Sequence, residues 1–144
     1  EVTNSIFHGY PNKVHDGFLG HSYIGEWVNI GAGSNNSNLK NNYSHVNFDL
    51  GTGSFNTEKQ FLGVMIGDYC RLGIMTMINT GTYIGLGSNI FGSNFQNKFI
   101  DNFSWGRNEV VEFEKFIKTI ENMKLRRGAT VTPAEYNFLK KLYI

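Results

Sequence analysis

Residues 66–90 read IGDYCRLGIMTMINTGTYIGLGSNI, and one apolar residue recurs in this stretch at every sixth position. Such an interval fits neither the period of a helix face, about 3.6 residues, nor the period of a strand face, about two. It is the repeat expected of a solenoid whose coils have three flat faces of about six residues each. We expect the recurring residue to point inward, and the small residue after it to lie at a corner where a side chain would clash. The recurring residues are Ile66, Leu72, Ile78, Ile84 and Ile90, and Gly67, Gly73 and Gly85 follow three of them.

The same pattern occurs earlier in the chain. Phe18, Ile24 and Ile30 are six residues apart, and Gly25 and Gly31 follow the last two. At about 18 residues per coil, residues 1–33 and 64–95 together make about four coils. A solenoid this short has open ends that need to be covered.

The segment between these two regions is polar and breaks the period. Residues 34–44 are rich in Asn and Ser, and Gly51 and Gly53 follow. Long loops inside compact domains are uncommon and often functional. We therefore expect one domain over residues 1–106, with a loop inserted at about 34–63.

Residues 107–144 change character and predict a helical extension. Asn108 is placed to cap a helix over 109–127, which Gly128 ends. A capping box at Thr132–Glu135, with Pro133 at the first helical position, predicts a second helix. These helices are expected to cover the last coil or to clasp a trimer. The predicted inward residues are Val110, Phe113, Ile117, Ile120 and Lys124 in the first helix, and Phe138, Leu139 and Leu142 in the second.

Composition excludes several classes of protein. The net charge of +1 implies no field for nucleic acid or membrane surfaces. No apolar run approaches the length of about 18 residues that a transmembrane helix needs. Cys70 is the only cysteine, so an internal disulfide is impossible and a cytoplasmic location is expected. A buried position is the simplest role for Cys70.

Several short motifs resemble one known family over roughly residues 1–95. They are Glu1-Val2, Lys13-Val14-His15, Phe18-Leu19-Gly20, Asn29-Ile30-Gly31-Ala32-Gly33 and Asn38. Their order and spacing are similar to the acetyltransferase half of the bifunctional N-acetylglucosamine-1-phosphate uridyltransferase/glucosamine-1-phosphate acetyltransferase family, and closest to its divergent, sugar-nucleotidyltransferase-like members. The resemblance implies an all-β solenoid, a left-handed parallel β-helix of hexapeptide repeats with a C-terminal α-helical extension.

The resemblance also implies an activity, which is acetyl transfer from acetyl-CoA to the amine of an amino sugar phosphate. In that family the position of His15 is the general base, and the position of Glu1 orients it. A histidine suits this role because its pKa lies near neutrality. Asn29 and Asn38 would hold the sugar and its amide, Phe18 takes the place of a sugar-binding Tyr, and Lys13 and Lys40 could meet an anionic group of the substrate.

Acetyl-CoA is implied as the co-substrate, with no metal in the domain. Backbone at Ala32 and Gly33 would let it approach closely, and an N–H there could hold the oxyanion. Ile74, Thr76 and Gly92 correspond to positions that line the pantetheine arm. A homotrimer with clefts between subunits is expected, as in the family, with no nucleic-acid or membrane partner.

Two departures from the family pattern support an alternative. Thr3 replaces a phosphate-binding Lys, and Phe18 lacks the Tyr hydroxyl. The alternative is a non-catalytic trimerisation or regulatory module of a sugar nucleotidyltransferase. A zinc carbonic anhydrase reading of His8, His15 and His21 is weaker, because residues six apart lie on different faces of one coil. Trp27 and Trp105 could line a sugar or adenine pocket, although packing is their default role.

Overall fold

The computed structural model describes residues 1–143, which form sixteen short strands followed by two helices. The helices are α1 (Phe113–Leu125) and α2 (Pro133–Tyr143). The strands are β1 (Val2–Thr3), β2 (Ile6–Phe7), β3 (Leu19–Gly20), β4 (Tyr23–Ile24), β5 (Asn29–Ile30), β6 (Asn35–Asn36), β7 (Asn47–Asp49), β8 (Ser54–Asn56), β9 (Val64–Ile66), β10 (Arg71–Leu72), β11 (Met77–Ile78), β12 (Thr82–Ile84), β13 (Asn89–Ile90), β14 (Phe99–Ile100), β15 (Ser104–Trp105) and β16 (Glu109–Val110).

Most strands stack in parallel on three faces, which gives the molecule a solenoid-like architecture. The first face holds the strand pairs β1–β3 and β6–β11. A hydrogen bond from the Asn36 N–H to the Phe18 carbonyl connects the two pairs. The second face runs β2–β4–β9–β12–β14, and the third runs β5–β10–β13–β15, with β16 antiparallel at its edge. Each step of six residues moves the chain to the next face, since Ile66 pairs with Ile84 on the second face and Leu72 with Ile90 on the third. The predicted repeat of 18 residues per coil is therefore confirmed between Ile66 and Ile90.

The inward residues of the three faces form one apolar core, in which each side chain is at most 7% exposed. Burying an Ile or Leu side chain completely contributes about 1.5–3 kcal/mol, so this column is a large source of stability. Cys70 belongs to the core, as the sequence predicted, and burial raises the pKa of its thiol to about 12. The core residues are Leu19, Ile24, Val28, Ile30, Val64, Ile66, Cys70, Leu72, Ile78, Ile84, Ile90 and Ile100.

The glycines that follow inward residues are required by close contact between coils. A Cβ added to Gly31 would lie 2.6 Å from the Ile74 nitrogen, and one at Gly67 would lie 2.7 Å from the Leu86 nitrogen. Gly25 and Gly85 are equally crowded by the backbone of the next coil. The predicted clash is thus confirmed at four corners, whereas Gly73 has ordinary clearance.

The inward position on β3 differs from the prediction. Leu19, not Phe18, is buried in the core, and Val2 pairs with it in the preceding coil. The first coils are about one residue shorter than the later ones, since Asn12 pairs with Asn29 rather than with Ile30. Counting back six residues from Ile24 therefore gives Phe18, whereas the inward residue of β3 is Leu19.

The period continues past residue 34, where the sequence predicted a break. Asn36 takes the inward position of β6 opposite Ile78, and it is only 4% exposed. Its amide oxygen accepts from the Gly20 N–H at 2.9 Å, and its amide nitrogen donates to the Gly20 carbonyl at 3.0 Å. Because both ends of the amide are bonded, a polar side chain is tolerated where apolar ones are the rule.

The insertion is shorter than predicted and is folded. It opens and closes at the antiparallel bridge between Leu39 and Phe61, and β7 and β8 form a hairpin within it. Phe48 is buried and packs edge-on against Tyr83 of the second face. The insertion is therefore anchored to the coils.

The predicted first helix begins four residues too early. Glu109 and Val110 form β16, Val110 is exposed, and Glu112 rather than Asn108 is the N-cap of α1. The other four predicted inward residues of α1 are buried, and Gly128 follows its C-terminus at a positive φ.

The second helix has one buried apolar residue instead of three. Leu139 is buried, whereas Phe138 and Leu142 are exposed. One half of the predicted capping box is present, because the Glu135 N–H donates to Thr132 Oγ1 at 3.2 Å. The Glu135 carboxylate turns instead toward α1 and the coils.

Helix α1 packs along one corner of the coils rather than over the last coil. We call this the Trp27 corner; its turns carry Tyr10, Trp27, Tyr69, Gly87 and Phe103. Trp27, Tyr69 and Phe103 join Phe116 and Ile120 in a second buried cluster, so packing is the role of Trp27. Trp27, Tyr69 and Phe103 each have a positive φ, a strain of about 1–2 kcal/mol per residue that their burial offsets.

A buried ion pair locks α2 onto this cluster. Lys124 Nζ lies 2.6 and 2.7 Å from the two oxygens of Glu135, and the Tyr69 hydroxyl donates to the same carboxylate. The ammonium also lies 5.6 Å from the centres of the Trp27 and Tyr69 rings. Although partial burial opposes it, hydrogen bonds from Lys124 and Tyr69 lower the pKa of Glu135.

Within residues 1–143, neither helix has the length and apolar character that a bilayer crossing demands.

Candidate functional site

Several of the sequence-predicted catalytic and cofactor positions share one corner of the coils, which we call the His15 corner. Its turns carry His15, Ala32, Ile74 and Gly92. The Gly33 N–H donates to the Asp16 carbonyl at 3.1 Å, so the first turn lies directly on the second. The Met75 N–H donates to the Ala32 carbonyl at 2.8 Å, and the register of β10 with β13 places Gly92 in the next turn.

The turn that carries His15 is held by Lys13, which the sequence had assigned to the substrate, and by Glu1, which it had assigned to the histidine. Lys13 Nζ donates to the Gly17 carbonyl at 2.8 Å and to the His15 carbonyl at 3.1 Å. The Glu1 nitrogen donates to the Gly17 carbonyl as well. Lys13 therefore fixes the backbone beside His15, and its ammonium is already engaged. In the described chain no hydrogen bond or ion pair joins the Glu1 carboxylate to the exposed His15 imidazole.

The residue beneath its N–H distinguishes the Ala32 turn from two turns of the Trp27 corner. At the Trp27 corner, Asp68 Oδ1 accepts from the Glu26 N–H at 2.7 Å, and Asn102 Oδ1 accepts from the Leu86 N–H at 2.9 Å. The residue that corresponds to Asp68 beneath Ala32 is Ile74, whose side chain cannot accept. Among residues 1–143 the Ala32 N–H has no hydrogen-bond acceptor.

The surface around this N–H is apolar and open. Ile74 is 74% exposed and Met75 is 68% exposed, and Phe91 of the next coil is also exposed. A Cβ added to Gly92 would meet nothing within 4 Å. A Cβ on Gly33 would lie 2.3 Å from Met75 Sδ, so the thioether lies directly against that glycine. The corner thus combines a free donor with an apolar wall.

Thr76, predicted to line the same arm, lies inside the coil. It is 1% exposed, and its hydroxyl donates to the Gly73 carbonyl at 2.7 Å. Its backbone N–H donates to Ser34 Oγ at 3.3 Å. These bonds assign Thr76 to shaping the turn below Ala32.

The predicted sugar-binding residues divide between two faces. Phe18 and Asn38 lie together over Gly20, where an added Cβ would fall 2.5 Å from the Phe18 ring and 2.8 Å from Asn38 Nδ2. Asn38 Nδ2 also lies 3.0 Å from His21 Nδ1. Asn29 lies on the third face instead, where its side-chain oxygen accepts from Asn12 Nδ2 at 2.6 Å.

Lys40 lies apart from the other predicted site residues, in the insertion. Its ammonium donates to the His45 carbonyl at 2.7 Å. The described residues contain no group of three His, Cys, Asp or Glu side chains placed to share a metal ion.

A groove lies on the third face, between β5, β10 and helix α1, and the sequence had suggested only Trp27 and Asn29 of its lining as ligand-binding residues. Its volume is about 420 Å³, within the range of small-molecule sites. Three arginines line it, together with polar and aromatic side chains. The polar and aromatic lining residues are Tyr10, Asn12, Trp27, Asn29, Thr119 and Asn122, and the arginines are Arg71, Arg126 and Arg127.

Two features make this groove difficult to predict from the sequence. Asn12, Asn29, Arg71 and Asn89 form one column, but they are 17, 42 and 18 residues apart because the insertion lies between the second and third. The arginines that follow α1 read as ordinary last-turn residues of a helix.

No protein-family model matches the chain, and no curated protein is significantly similar to it.

Proposed function

We propose that the chain is an acetyl-CoA-dependent N-acetyltransferase that acts on the amine of an amino sugar phosphate similar to glucosamine 1-phosphate. The observation that carries the proposal is the His15 corner, where an exposed imidazole and a free N–H lie on stacked turns beside an apolar wall. A general base, an oxyanion donor and a surface for the pantetheine arm are the parts that acyl transfer to an amine needs.

The proposed reaction is a direct transfer. His15 takes the proton from the substrate amine as its nitrogen attacks the thioester carbonyl. The Ala32 N–H donates to the oxyanion that forms. The tetrahedral intermediate then collapses, an amide bond replaces the thioester, and the thiol of CoA leaves with a proton. Glu1, whose backbone is bonded to the same turn, is assigned to steady the imidazolium.

The remaining parts follow from the resemblance described above. Ile74, Met75 and Gly92 would line the pantetheine arm, and the coils would wind left-handed. A cytoplasmic homotrimer would cover the exposed apolar corner with a neighbouring subunit, which large exposed apolar patches favour. Because Lys13 is engaged with backbone carbonyls, the phosphate of the acceptor needs a different partner.

The test is release of free thiol from acetyl-CoA in the presence of glucosamine 1-phosphate. We expect His15→Ala to reduce the rate by about 100-fold or more, the scale of losing a general base. His45→Ala is the matched control, since the His45 side chain is exposed in the insertion and only its carbonyl is used. Equal rates for the parent and His15→Ala would contradict the assignment of the base.

A second candidate is a non-catalytic trimerisation or regulatory module. The unbonded Glu1 carboxylate and the engaged Lys13 ammonium favour it. The two candidates differ in whether acetyl-CoA binds. At 100 times its dissociation constant, a ligand of the folded state adds about 2.7 kcal/mol to stability. A melting temperature unchanged by acetyl-CoA would favour the module.

A further inference from the structure

The groove between the third face and helix α1 is lined by three arginines and by no carboxylate within the described chain. Arg71 comes from β10, while Arg126 and Arg127 follow the C-terminus of α1. Elements far apart in sequence thus bring three positive charges to one small cavity. None of the three takes part in an ion pair among residues 1–143.

Arg71 is the centre of this arrangement. It lies between Asn29 and Asn89 in the third face, and its Nε donates to Asn89 Oδ1 at 3.1 Å. Its two terminal nitrogens donate to no group in the described part of the chain. Burial lowers the pKa of the Arg71 guanidinium. Holding a cation partly out of water without a carboxylate is unfavourable unless another anion is supplied.

The end of a helix explains only part of the cluster. The negative end of a helix dipole favours cations in its last turn, which accounts for a basic residue at 126 or 127. It does not account for Arg71, which is on a strand beneath that helix. Nor does it account for the lining amides of Asn12, Asn29 and Asn122, which offer further donors.

We propose that this groove binds the phosphate group of a phosphorylated small molecule. The planar guanidinium of Arg71 presents two parallel N–H donors, the geometry that recognises phosphate oxygens. Arg126 and Arg127 supply further charge from the opposite wall. The cavity of about 420 Å³ leaves room for a body attached to the phosphate, with the half-exposed Tyr10 ring beside it.

Tyr10 and Trp27 make the floor of the groove rigid. Their rings stack at 4.1 Å between centres with an angle of 11° between planes. Trp27 is 5% exposed, so Tyr10 is the aromatic side chain that a ligand would meet. None of the residues of the His15 corner lines the groove, although Asn29, one of the predicted sugar-binding residues, does.

The experiment is isothermal titration of the whole chain with pyrophosphate as the probe. We expect a dissociation constant below about 1 mM, an affinity of roughly 4 kcal/mol. Arg71→Gln should weaken binding at least tenfold, and the double change Arg126→Gln/Arg127→Gln by a similar factor. Lys141→Gln is the charge-matched control, because Lys141 is exposed on α2 away from the groove. This variant should bind pyrophosphate with the affinity of the parent.

Thermal unfolding of each variant separates binding from folding. Should Arg71→Gln fail to fold, the double variant decides, because Arg126 and Arg127 are exposed and follow the helix. Absence of heat up to about 10 mM pyrophosphate would overturn the proposal, since that concentration is about tenfold above the expected dissociation constant. Equal weakening by Lys141→Gln would overturn it too, since it would show attraction to overall charge only.

Discussion

The Trp27 corner and the His15 corner are built from the same turn but have opposite surroundings. At the Trp27 corner, a carboxylate and an amide oxygen of the next coil accept the N–H groups of Glu26 and Leu86, and α1 covers the aromatic side chains. At the His15 corner, Ile74 replaces the acceptor and stays exposed. At the Trp27 corner, these two donors are hydrogen-bonded and the apolar surface is buried, and both stabilise the fold. The His15 corner keeps a donor and apolar surface available, which is typical of a functional site.

The largest expected effect comes from the covered corner. Phe116 is fully buried between Tyr69 and Phe103, so Phe116→Ala should cost about 3–5 kcal/mol. The matched change at the open corner, Ile74→Ala, should cost less than about 0.5 kcal/mol, because the side chain is exposed. Urea unfolding of both variants measures the difference. Similar costs would mean that the two corners do not differ as described.

The ion pair beneath α2 should give the next largest effect. Lys124→Met leaves the Glu135 carboxylate without its cation, and a loss of about 2–4 kcal/mol is expected because both partners are largely buried. Lys118→Met is the control, since its pair with Glu121 is exposed and is worth little. If both variants had the same urea midpoint of unfolding as the parent, the Lys124–Glu135 ion pair would contribute nothing to stability.

Giving the His15 corner an acceptor should make it resemble the Trp27 corner. Ile74→Asp places a carboxylate where Asp68 lies beneath Glu26, so it should accept the Ala32 N–H and stabilise the chain by about 1 kcal/mol. The same bond would remove the proposed oxyanion donor, and thiol release should fall. Ile74→Val, which adds no acceptor, should change neither quantity. A stabilised Ile74→Asp variant with full activity would remove Ala32 from the mechanism.

The smallest effect is on pH dependence. The folded-state pKa of Glu135 is lowered below its ordinary value of 4.5, so its stabilising contribution is complete above that value. It is lost as the pH falls through the lower, folded-state pKa. Urea unfolding from about pH 6 to about pH 3 should therefore show a decline that is shallower in Glu135→Gln. Parallel curves would show that other carboxyls cause the decline.

The repeat could be predicted because it depends on local sterics. Glycines at 25, 31, 67 and 85 are dictated by the backbone of the next coil, and a six-residue apolar interval reveals the faces. The misplacement of Phe18 and the early break at residue 34 have different causes. A 17-residue coil shifts the count by one, and Asn36 is buried by hydrogen bonds that a hydropathy pattern does not show.

The candidate sites divide in the same way. His15 and Ala32 were chosen from motif spacing, and Ile74 and Gly92 from their correspondence to positions of the resembling family; the structure places all four on stacked turns of one corner. The engagement of Lys13 with the Gly17 carbonyl was not predictable, since side-chain direction within a turn is set by neighbouring atoms. The arginine groove was not predictable either, because it needs the length of the insertion and the side on which α1 packs.

The sequence by itself determined the strand repeat, the three inward columns and the existence of two terminal helices, because these depend on period, on steric room at glycine and on local helix signals. The tertiary structure alone decided which corner α1 covers. That choice depends on the aromatic residues of three separate coils lying in one column, where they bury a helix face that the opposite corner could not. It also decided which donors and arginines are left facing solvent, and with them where a ligand can bind.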